Sequence, residues 1–279
     1  PSYLTQATFN FIQQGLQDED AMLRMASVSA LEGLQIEMLV KHVFPLLNDP
    51  VRSVRIEAAR VLAPIPVGQL QNEQLAIYNK AANEYIDSQN AIAERPEAQL
   101  NLGNYYAAKG KMDIAVSAYK KAIELEDVFI PAYINLADLY RAQQKDAVAE
   151  QVLTNAIEVS PTSADAHYSY GLLLIRQKLN RKAINMLQAA VELETDNAQY
   201  IYVYAVELNS TGQKDQAIKT MQDAHNHFPQ NTDILKAVNA LHRDAGNASA
   251  IQPYMNKLQQ LGQRIMHSLK PLYLCLCKQ

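Results

Sequence analysis

Small apolar residues recur along this chain every 34 residues, and that spacing organises its hydrophobic and polar positions from residue 96 onwards. One series is Ala115, Ala149, Ala183 and Ala217, continued by Ile251; a second is Ala122, Ala156, Ala190 and Ala224, continued by Leu258; a third is Gly103, Ala137, Gly171, Ala205 and Asn239. A period of this length indicates stacked helical hairpins, because one hairpin cannot bury its apolar face alone. The small residues mark the places where two helices approach most closely. The pattern predicts an all-α fold, a right-handed α-α superhelical solenoid.

Within each period the pattern predicts two helices joined by a tight turn. The segment from Glu97 to Lys109 has apolar residues at helical spacing, and so does the segment that follows Asp113. Gly110 can adopt the left-handed backbone that ends a helix, and Asp113 is expected to cap the next helix. At the equivalent turns Gln144 and Lys178 replace glycine, so those turns are expected to cost slightly more.

The residue pattern within these periods resembles the tetratricopeptide repeat. The resemblance is carried by LNLGNYYAAKGKMDIAVSAYKKAIELED at 100–127 and by YGLLLIRQKLNRKAINMLQAAVELETD at 170–196. It predicts four repeat units over 96–231, a degenerate capping unit at 232–262 and a tail at 263–279, since a solenoid needs an atypical last unit to cover its apolar end. It implies a non-catalytic protein-interaction or scaffold module whose partner is a protein or peptide.

The same resemblance implies where the partner binds. In that family the first helices line a concave groove, and the matching positions here are Asn101, Asn104, Asn135, Asp138, Arg141, Tyr168, Leu172, Arg176, Tyr202, Val206 and Asn209. A segment with an apolar anchor and polar backbone contacts would suit this lining. Leu100 and Ile134 stand where the family's carboxylate clamp needs lysine, which disfavours a receptor for chaperone tails.

Tyrosine is concentrated in the C-terminal half of this groove. Alternate residues of a helix cannot all face the core, so of Tyr200, Tyr202 and Tyr204 some must be exposed. Two interpretations stay open: exposed tyrosines line the groove for a ligand, or the tyrosines only pack between neighbouring units. In the second case the chain is a structural spacer, or a dimerisation arm that forms a homodimer, with no groove ligand.

A different repeat, with a spacing of 31 residues, occupies the N-terminal part of the chain. Two segments align with each other: LQDEDAMLRMASVSAL at 16–31 and LNDPVRSVRIEAARVL at 47–62. Their shared residue pattern resembles HEAT repeats. The resemblance assigns residues 1–66 to such repeats and implies that Asp49 caps a helix while Arg55 bonds neighbouring loop carbonyls. The prolines within 63–68 interrupt helix formation, and a connecting helix is predicted within 67–95, from about Gln69 to Ala93.

Four segments together are similar to the C-terminal region of certain large bacterial multihaem c-type cytochromes. They are PLLNDPVRSVRIEAARVLAPIP, ERPEAQLNLGNYY, INLADLYRAQ and YIYVYAVELNSTGQ. The resemblance implies a native polypeptide that extends upstream, carries haem there and works in the periplasm. This sequence has no C-x-x-C-H motif, so no cofactor is assigned to it. A stand-alone adaptor, which could be cytoplasmic, is the alternative.

Charge, apolar run length and motifs argue against several other classes of function. The net charge of −4 comes from interspersed signs, so no basic stripe indicates nucleic-acid binding. No apolar run reaches the roughly 18 to 20 residues that cross a bilayer. Metalloprotease, serine-hydrolase and P-loop motifs are absent from the sequence, so an enzyme is not expected. His225 and His227 face different directions on a helix and predict no metal site, and Cys275 and Cys277 are interpreted as thiols of a terminus.

Overall fold

The computed structural model describes residues 5–262, which contain helices and no strand. The all-α class and the stacking of helical hairpins predicted from the sequence are confirmed. The chain divides between Gln143 and Gln144 into two compact units. The predicted tail at 263–279, with Cys275 and Cys277, lies outside the described residues.

The first unit is built from eight α-helices in the described part of residues 1–143. They are α1 (Gln6–Gly15), α2 (Ala21–Ser29), α3 (Ile36–His42), α4 (Arg52–Val61), α5 (Asn72–Asn90), α6 (Pro96–Ala108), α7 (Met112–Leu125) and α8 (Ile130–Ala142). Short 3₁₀ turns lie at Phe44–Asn48 and Val67–Gln69. Sequence neighbours such as α4 and α5, α5 and α6, and α6 and α7 pack against each other.

The 31-residue repeat is visible as two arginine-centred contacts of the same form. Arg24 donates to the backbone oxygens of Asp18 (2.8 Å) and Glu19 (2.9 Å) and forms a buried bidentate pair with Asp49. Arg55, one period later, donates to the backbone oxygens of Asp49 (2.8 Å) and Pro50 (3.1 Å). These contacts agree with the loop-carbonyl role expected of Arg55.

Each arginine also binds a carboxylate from the following element. Arg55 holds Glu84 of α5 at 2.9 and 3.0 Å, just as Arg24 holds Asp49. Asp49 accepts from the Val51 N–H at 2.8 Å and does not occupy the N-cap of α4, which is Val51 itself. Its expected capping role is therefore a turn contact before the helix, and its stronger role is the ion pair with Arg24.

Helix α5 is the connecting helix predicted between the two kinds of repeat. It begins at Asn72, a little later than expected, because Val67–Gln69 forms a 3₁₀ turn after the prolines. Its buried face includes Tyr78, Ala81 and Tyr85. The Tyr85 ring lies 5.0 Å from the ring of Tyr105 in α6, so α5 packs on the first tetratricopeptide-like hairpin as predicted.

The second unit is also built from helical hairpins. Its helices are α9 (Asp146–Val159), α10 (Ala164–Arg176), α11 (Asn180–Leu193), α12 (Ala198–Ser210), α13 (Lys214–His227) and α14 (Thr232–Asp244). Residues 252–262 are also helical. Helix α12 contacts both α13 and α14, so the first helices of successive hairpins lie side by side within this unit.

The turns within hairpins use left-handed backbone whether or not glycine is present. Gly110, Gly212 and Gly246 have φ of 71°, 86° and 76°, and Gln144 and Lys178 each have φ of 61°. The strained turns expected at the two non-glycine positions are thus present. The expected cap Asp113 is wrong: α7 has Lys111 at its N-cap with no side-chain bond, and Asp113 lies inside the first turn, where a carboxylate favours the helix dipole.

Candidate functional site

Helix α12 carries three tyrosines that differ in their exposure to solvent. Tyr200 and Tyr204 are 4% and 6% exposed, whereas Tyr202 is 38% exposed. Residues four apart share a helix face and the residue between them points elsewhere. Tyr200 and Tyr204 therefore pack within the fold, and Tyr202 faces solvent.

The buried tyrosine Tyr200 links α12 to α10. Its ring stacks on Tyr168 with centroids 4.4 Å apart and an interplanar angle of 26°. The Tyr200 hydroxyl donates to the Asp165 carboxylate. Burial, and then the neighbouring carboxylate, raises the pKa of Tyr200 above its usual value. Tyr168, expected in the groove, is thus half-buried by this stack, and its hydroxyl accepts from Gln199 at 3.3 Å.

An open pocket of about 430 Å³ lies between α12 and α14. Its lining consists of Gln199, Tyr202, Asp233, Lys236, Ala237 and Ala240. Lys236 and Asp233 form an exposed ion pair at 3.0 Å, which leaves the pocket wall without net charge. Val206, one turn beyond Tyr202, is 45% exposed. The face therefore offers an aromatic ring, an aliphatic side chain and small residues beside them.

The remaining predicted residues of the second unit differ in how freely they could meet a ligand. Arg176 is exposed, but its Nε lies 3.2 Å from both carboxylate oxygens of Asp146. Leu172 is half-buried. Asn209 is also half-buried, and its side-chain oxygen is buried without a hydrogen-bond partner. Arg176 is thus held by an ion pair, and the side-chain oxygen of Asn209 is removed from solvent.

Glu207 is a buried acid that sequence reasoning missed. It is 5% exposed, accepts from the Ser210 hydroxyl at 3.1 Å through one oxygen, and has no partner for the other. Burial raises the pKa of this carboxyl. A signal existed, because one period earlier and one period later the same position holds Leu173 and Leu241, both buried.

In the first unit, two of the predicted amides are joined directly. Asn104 accepts from the Tyr119 hydroxyl and from the Asn135 side chain, each at 2.8 Å. Burial raises the pKa of Tyr119 to about 12, so its hydroxyl keeps the proton that it donates. Asp138 and Arg141 pair with each other at 2.9 Å on α8.

Asn101 and Asn104 also border a cavity of about 150 Å³ that sequence reasoning did not anticipate. Its other lining residues are Glu32, Gly33, Leu34, Ile36, Leu39, Arg60, Val61, Ala63, Pro64, Tyr85, Tyr105 and Ala108. The N-terminal repeats therefore form one wall and α5 and α6 the other. No period links residues of the two repeat types, so the sequence pattern carries no signal for this contact.

The described residues show neither a metal cluster nor a helix suited to the bilayer. Between residues 5 and 262, no three His, Cys, Asp or Glu side chains come together as a metal ion would require. Over the same range no helix combines the length and the apolar character needed to cross a membrane. His227 pairs with Asp196 at 2.8 Å, while His225 packs 5.6 Å from the Tyr254 ring; these two histidines turn apart, as expected.

Comparison with known proteins supports the repeat assignment. Family models of the tetratricopeptide repeat match residues 96–128 and residues 134–198. No curated protein matches this chain.

Solved structures of repeat proteins share the fold. The crystal structure of MamA protein is 22% identical, covers 62% of this chain and 94% of its own, and has a TM-score of 0.52. A second crystal structure of MamA is also 22% identical, with coverages of 60% and 97% and a TM-score of 0.51. At such identity the likeness concerns the fold alone. The family matches, together with the hairpin geometry, identify residues 96–128 and 134–198 of this chain as tetratricopeptide repeats.

Proposed function

We propose that this chain is a protein-interaction scaffold whose second unit holds an extended partner segment across α10, α12 and α14. Tetratricopeptide repeats bind proteins or peptides, and their usual role is non-catalytic. The observation that carries the proposal is the open pocket of about 430 Å³ beside the exposed ring of Tyr202. A solvent-facing aromatic next to a concavity is the usual form of an interface anchor.

The chemistry of this face defines the segment that it accepts. Tyr202 and Val206 provide apolar contact, and Ala237 and Ala240 leave room for a partner side chain. The Asp233–Lys236 pair lies on the same wall and can exchange hydrogen bonds with a passing backbone. The favoured ligand is an extended peptide with one aliphatic or aromatic side chain and little net charge.

Selection from a random peptide display library on the purified chain tests this function. Selected peptides should bind Tyr202→Ala at least about tenfold more weakly, since the lost ring carries roughly 1.5–3 kcal/mol of apolar burial. Arg176→Ala should weaken binding less. Leu193→Ala, which removes a 42% exposed side chain from the end of α11, is the matched control and should bind as the parent does.

Two results would reject the groove. One is a selection that yields no specific peptide; the other is equal binding by the parent, Tyr202→Ala and Arg176→Ala. Sedimentation of the same proteins examines the alternative of a dimerisation arm. A dimer of the parent that Tyr202→Ala converts to a monomer would assign this face to self-association.

We further propose that the chain is the repeat arm of a periplasmic multihaem cytochrome. The support is the resemblance of four sequence segments, including the stretch PLLNDPVRSVRIEAARVLAPIP. A haem stain of the native polypeptide, detected in parallel with an antibody against this chain, tests the assignment. A haem-positive band larger than this chain agrees with it. A haem-negative band of this chain's size overturns it and favours a stand-alone adaptor.

A further inference from the structure

The cavity of the first unit has an apolar interior whose polar groups are already satisfied. Leu39, Val61 and Ala63 are each 2% exposed, and Tyr85 and Tyr105 close the other side. The Tyr85 hydroxyl donates to the backbone oxygen of Asn101 at 3.2 Å, and the Tyr105 hydroxyl is paired with that of Tyr78 at 3.2 Å. An entering group therefore finds apolar surface and no hydroxyl in need of a partner.

The size of this cavity matches a single aromatic ring. Its volume is about 150 Å³, the same as that of an engineered apolar protein cavity that binds benzene. A phenylalanine ring fits such a space, whereas the added hydroxyl of tyrosine would be buried without a partner and would cost binding energy.

A cluster of Arg60, Glu32 and Glu57 carries net negative charge, and its members Arg60 and Glu32 line the cavity. The Arg60 guanidinium binds both oxygens of Glu32, at 2.8 and 2.9 Å, and both oxygens of Glu57, at 3.0 and 2.7 Å. Two carboxylates against one guanidinium leave an excess of one negative charge. The Glu32 side chain is 57% exposed, so this charge is available to a cation on the ligand.

Two exposed amides beside the cavity keep one hydrogen-bonding atom each for a ligand. Asn104 uses its oxygen for Tyr119 and Asn135, and its NH₂ group makes no hydrogen bond among residues 5–262. Asn101 donates its NH₂ to Gln89 at 3.0 Å, and within the same range its oxygen has no donor. Residues three apart are neighbours on a helix surface. Together they can donate to a peptide carbonyl and accept from a peptide N–H.

We propose that this cavity binds the phenyl ring of a phenylalanine in an extended peptide segment that carries lysine or arginine next to it. The ring enters between Leu39 and Tyr105, the neighbouring cation lies at Glu32, and Asn101 and Asn104 bind the peptide backbone. The inference rests on the proposed protein-binding function, but it places a second anchor in the first unit, where the N-terminal repeats contribute half of the site.

Three fluorescein-labelled peptides test this on the whole chain: Gly-Ser-Lys-Phe-Lys-Ser-Gly and two versions, one with alanine for phenylalanine and one with glutamate for both lysines. The alanine version should bind at least about tenfold more weakly, because it leaves the apolar interior unfilled. The glutamate version should also bind more weakly, and added salt should reduce the difference between the glutamate and lysine versions.

A pocket-blocking variant locates the binding. Ala108 is exposed at the mouth of the cavity, so Ala108→Leu should reduce binding of the phenylalanine peptide about fivefold or more without unfolding α6. Ala142→Leu is the matched control, because Ala142 is exposed at the same position one period later and does not line the cavity. Thermal melts of both variants check that each is folded.

The outcomes separate this inference from the proposed groove. Equal binding of the phenylalanine and alanine peptides, or parent-like binding by Ala108→Leu, overturns the cavity site. Loss of the phenylalanine peptide in Tyr202→Ala but not in Ala108→Leu also overturns it and assigns that peptide to the second unit. Display-selected peptides that still depend on Tyr202 leave the proposed function standing whatever the cavity does.

Discussion

At the residue scale, the space beside the small residues at the helix crossings determines whether a methyl group can be added there. A methyl group added at Gly171 would lie 2.8 Å from both Cδ2 and Cγ of Leu187 on the paired helix. One period later Ala205 carries such a methyl and is completely buried. The same repeat position therefore has no room for a methyl group at Gly171, whereas it accommodates one at Ala205.

Gly171→Ala is expected to lower the free energy of unfolding by about 1–3 kcal/mol through overpacking. Leu187→Ala alone should cost about 2–5 kcal/mol through the cavity that it leaves. The double variant should lose less than the two losses added together, because each change relieves the other. Urea unfolding, with an unchanged dependence of the free energy on urea concentration, measures the loss in all three variants. Strictly additive losses would contradict the close contact between residue 171 and Leu187.

The period shows which residues of a repeat are small, but exposure depends on side-chain direction. The sequence could say that Tyr200, Tyr202 and Tyr204 do not all face the core. The exposed member is Tyr202, because Tyr200 stacks on Tyr168 of α10. The stacked rings belong to residues that are 32 positions apart in the sequence, and no local sequence pattern predicts the contact between them.

At the scale of the element, the hairpin turns are strained where glycine is missing. Lys178 has a φ of 61°, and its N–H donates to the Ile175 oxygen at 2.9 Å, so the turn is fixed by the end of α10. A side chain in left-handed backbone carries a steric cost that glycine avoids.

Lys178→Gly is expected to raise the free energy of unfolding by about 0.5–1 kcal/mol, since the steric relief exceeds the extra chain entropy of glycine. Gly212→Lys, at a φ of 86° in the same unit, is the reverse control and should lower the free energy of unfolding by about 1 kcal/mol. Urea midpoints compare the two variants. A destabilised Lys178→Gly protein would show that this turn is not strained.

The N-terminal repeats depend on an ion pair between successive elements. The hydrogen bond from Arg24 lowers the pKa of Asp49 below its usual value. A carboxyl whose folded pKa is depressed stabilises the fold above its unfolded pKa of about 3.9, and this contribution is lost as pH falls through the folded pKa.

Asp49→Asn should therefore be less stable than the parent at pH 7 and should lose less stability on acidification below about pH 4. The midpoint of chemical unfolding, recorded from pH 7 to pH 2, measures both effects. Asp223→Asn changes an exposed carboxyl of α13 and should follow the parent curve. Parallel pH curves for the parent and Asp49→Asn would refute a stabilising role for the pair.

The elements themselves were largely predictable, since each needs only local pattern. The connecting helix, the hairpins and the left-handed turns follow from periodicity and turn chemistry. The cap at Asp113 was not predictable, because the turn after Gly110 places Lys111 at the N-cap and Asp113 two positions further along, inside the first turn of α7. Capping depends on the backbone angles of one residue, which residue type alone does not fix.

At the scale of the whole molecule, the sequence predicts a binding role for first-helix positions, but it does not predict the shape of the surfaces that they border. Asn101 and Asn104 were expected to meet a ligand, yet the cavity next to them is completed by Arg60 and Leu39. Those residues come from a repeat with a different period. The packing of α4 on α5 and of α5 on α6 helps to bring the two sets together.

The central claim is that the first-helix face of the second unit holds the partner. The most direct measurement is photo-crosslinking of a display-selected peptide to two proteins that carry benzoylphenylalanine, one at Tyr202 and one at Leu193. The account predicts a covalent adduct at 202 and none at 193, although both side chains are exposed to a similar degree. An adduct at 193 alone, or equal adducts at both positions, would contradict it.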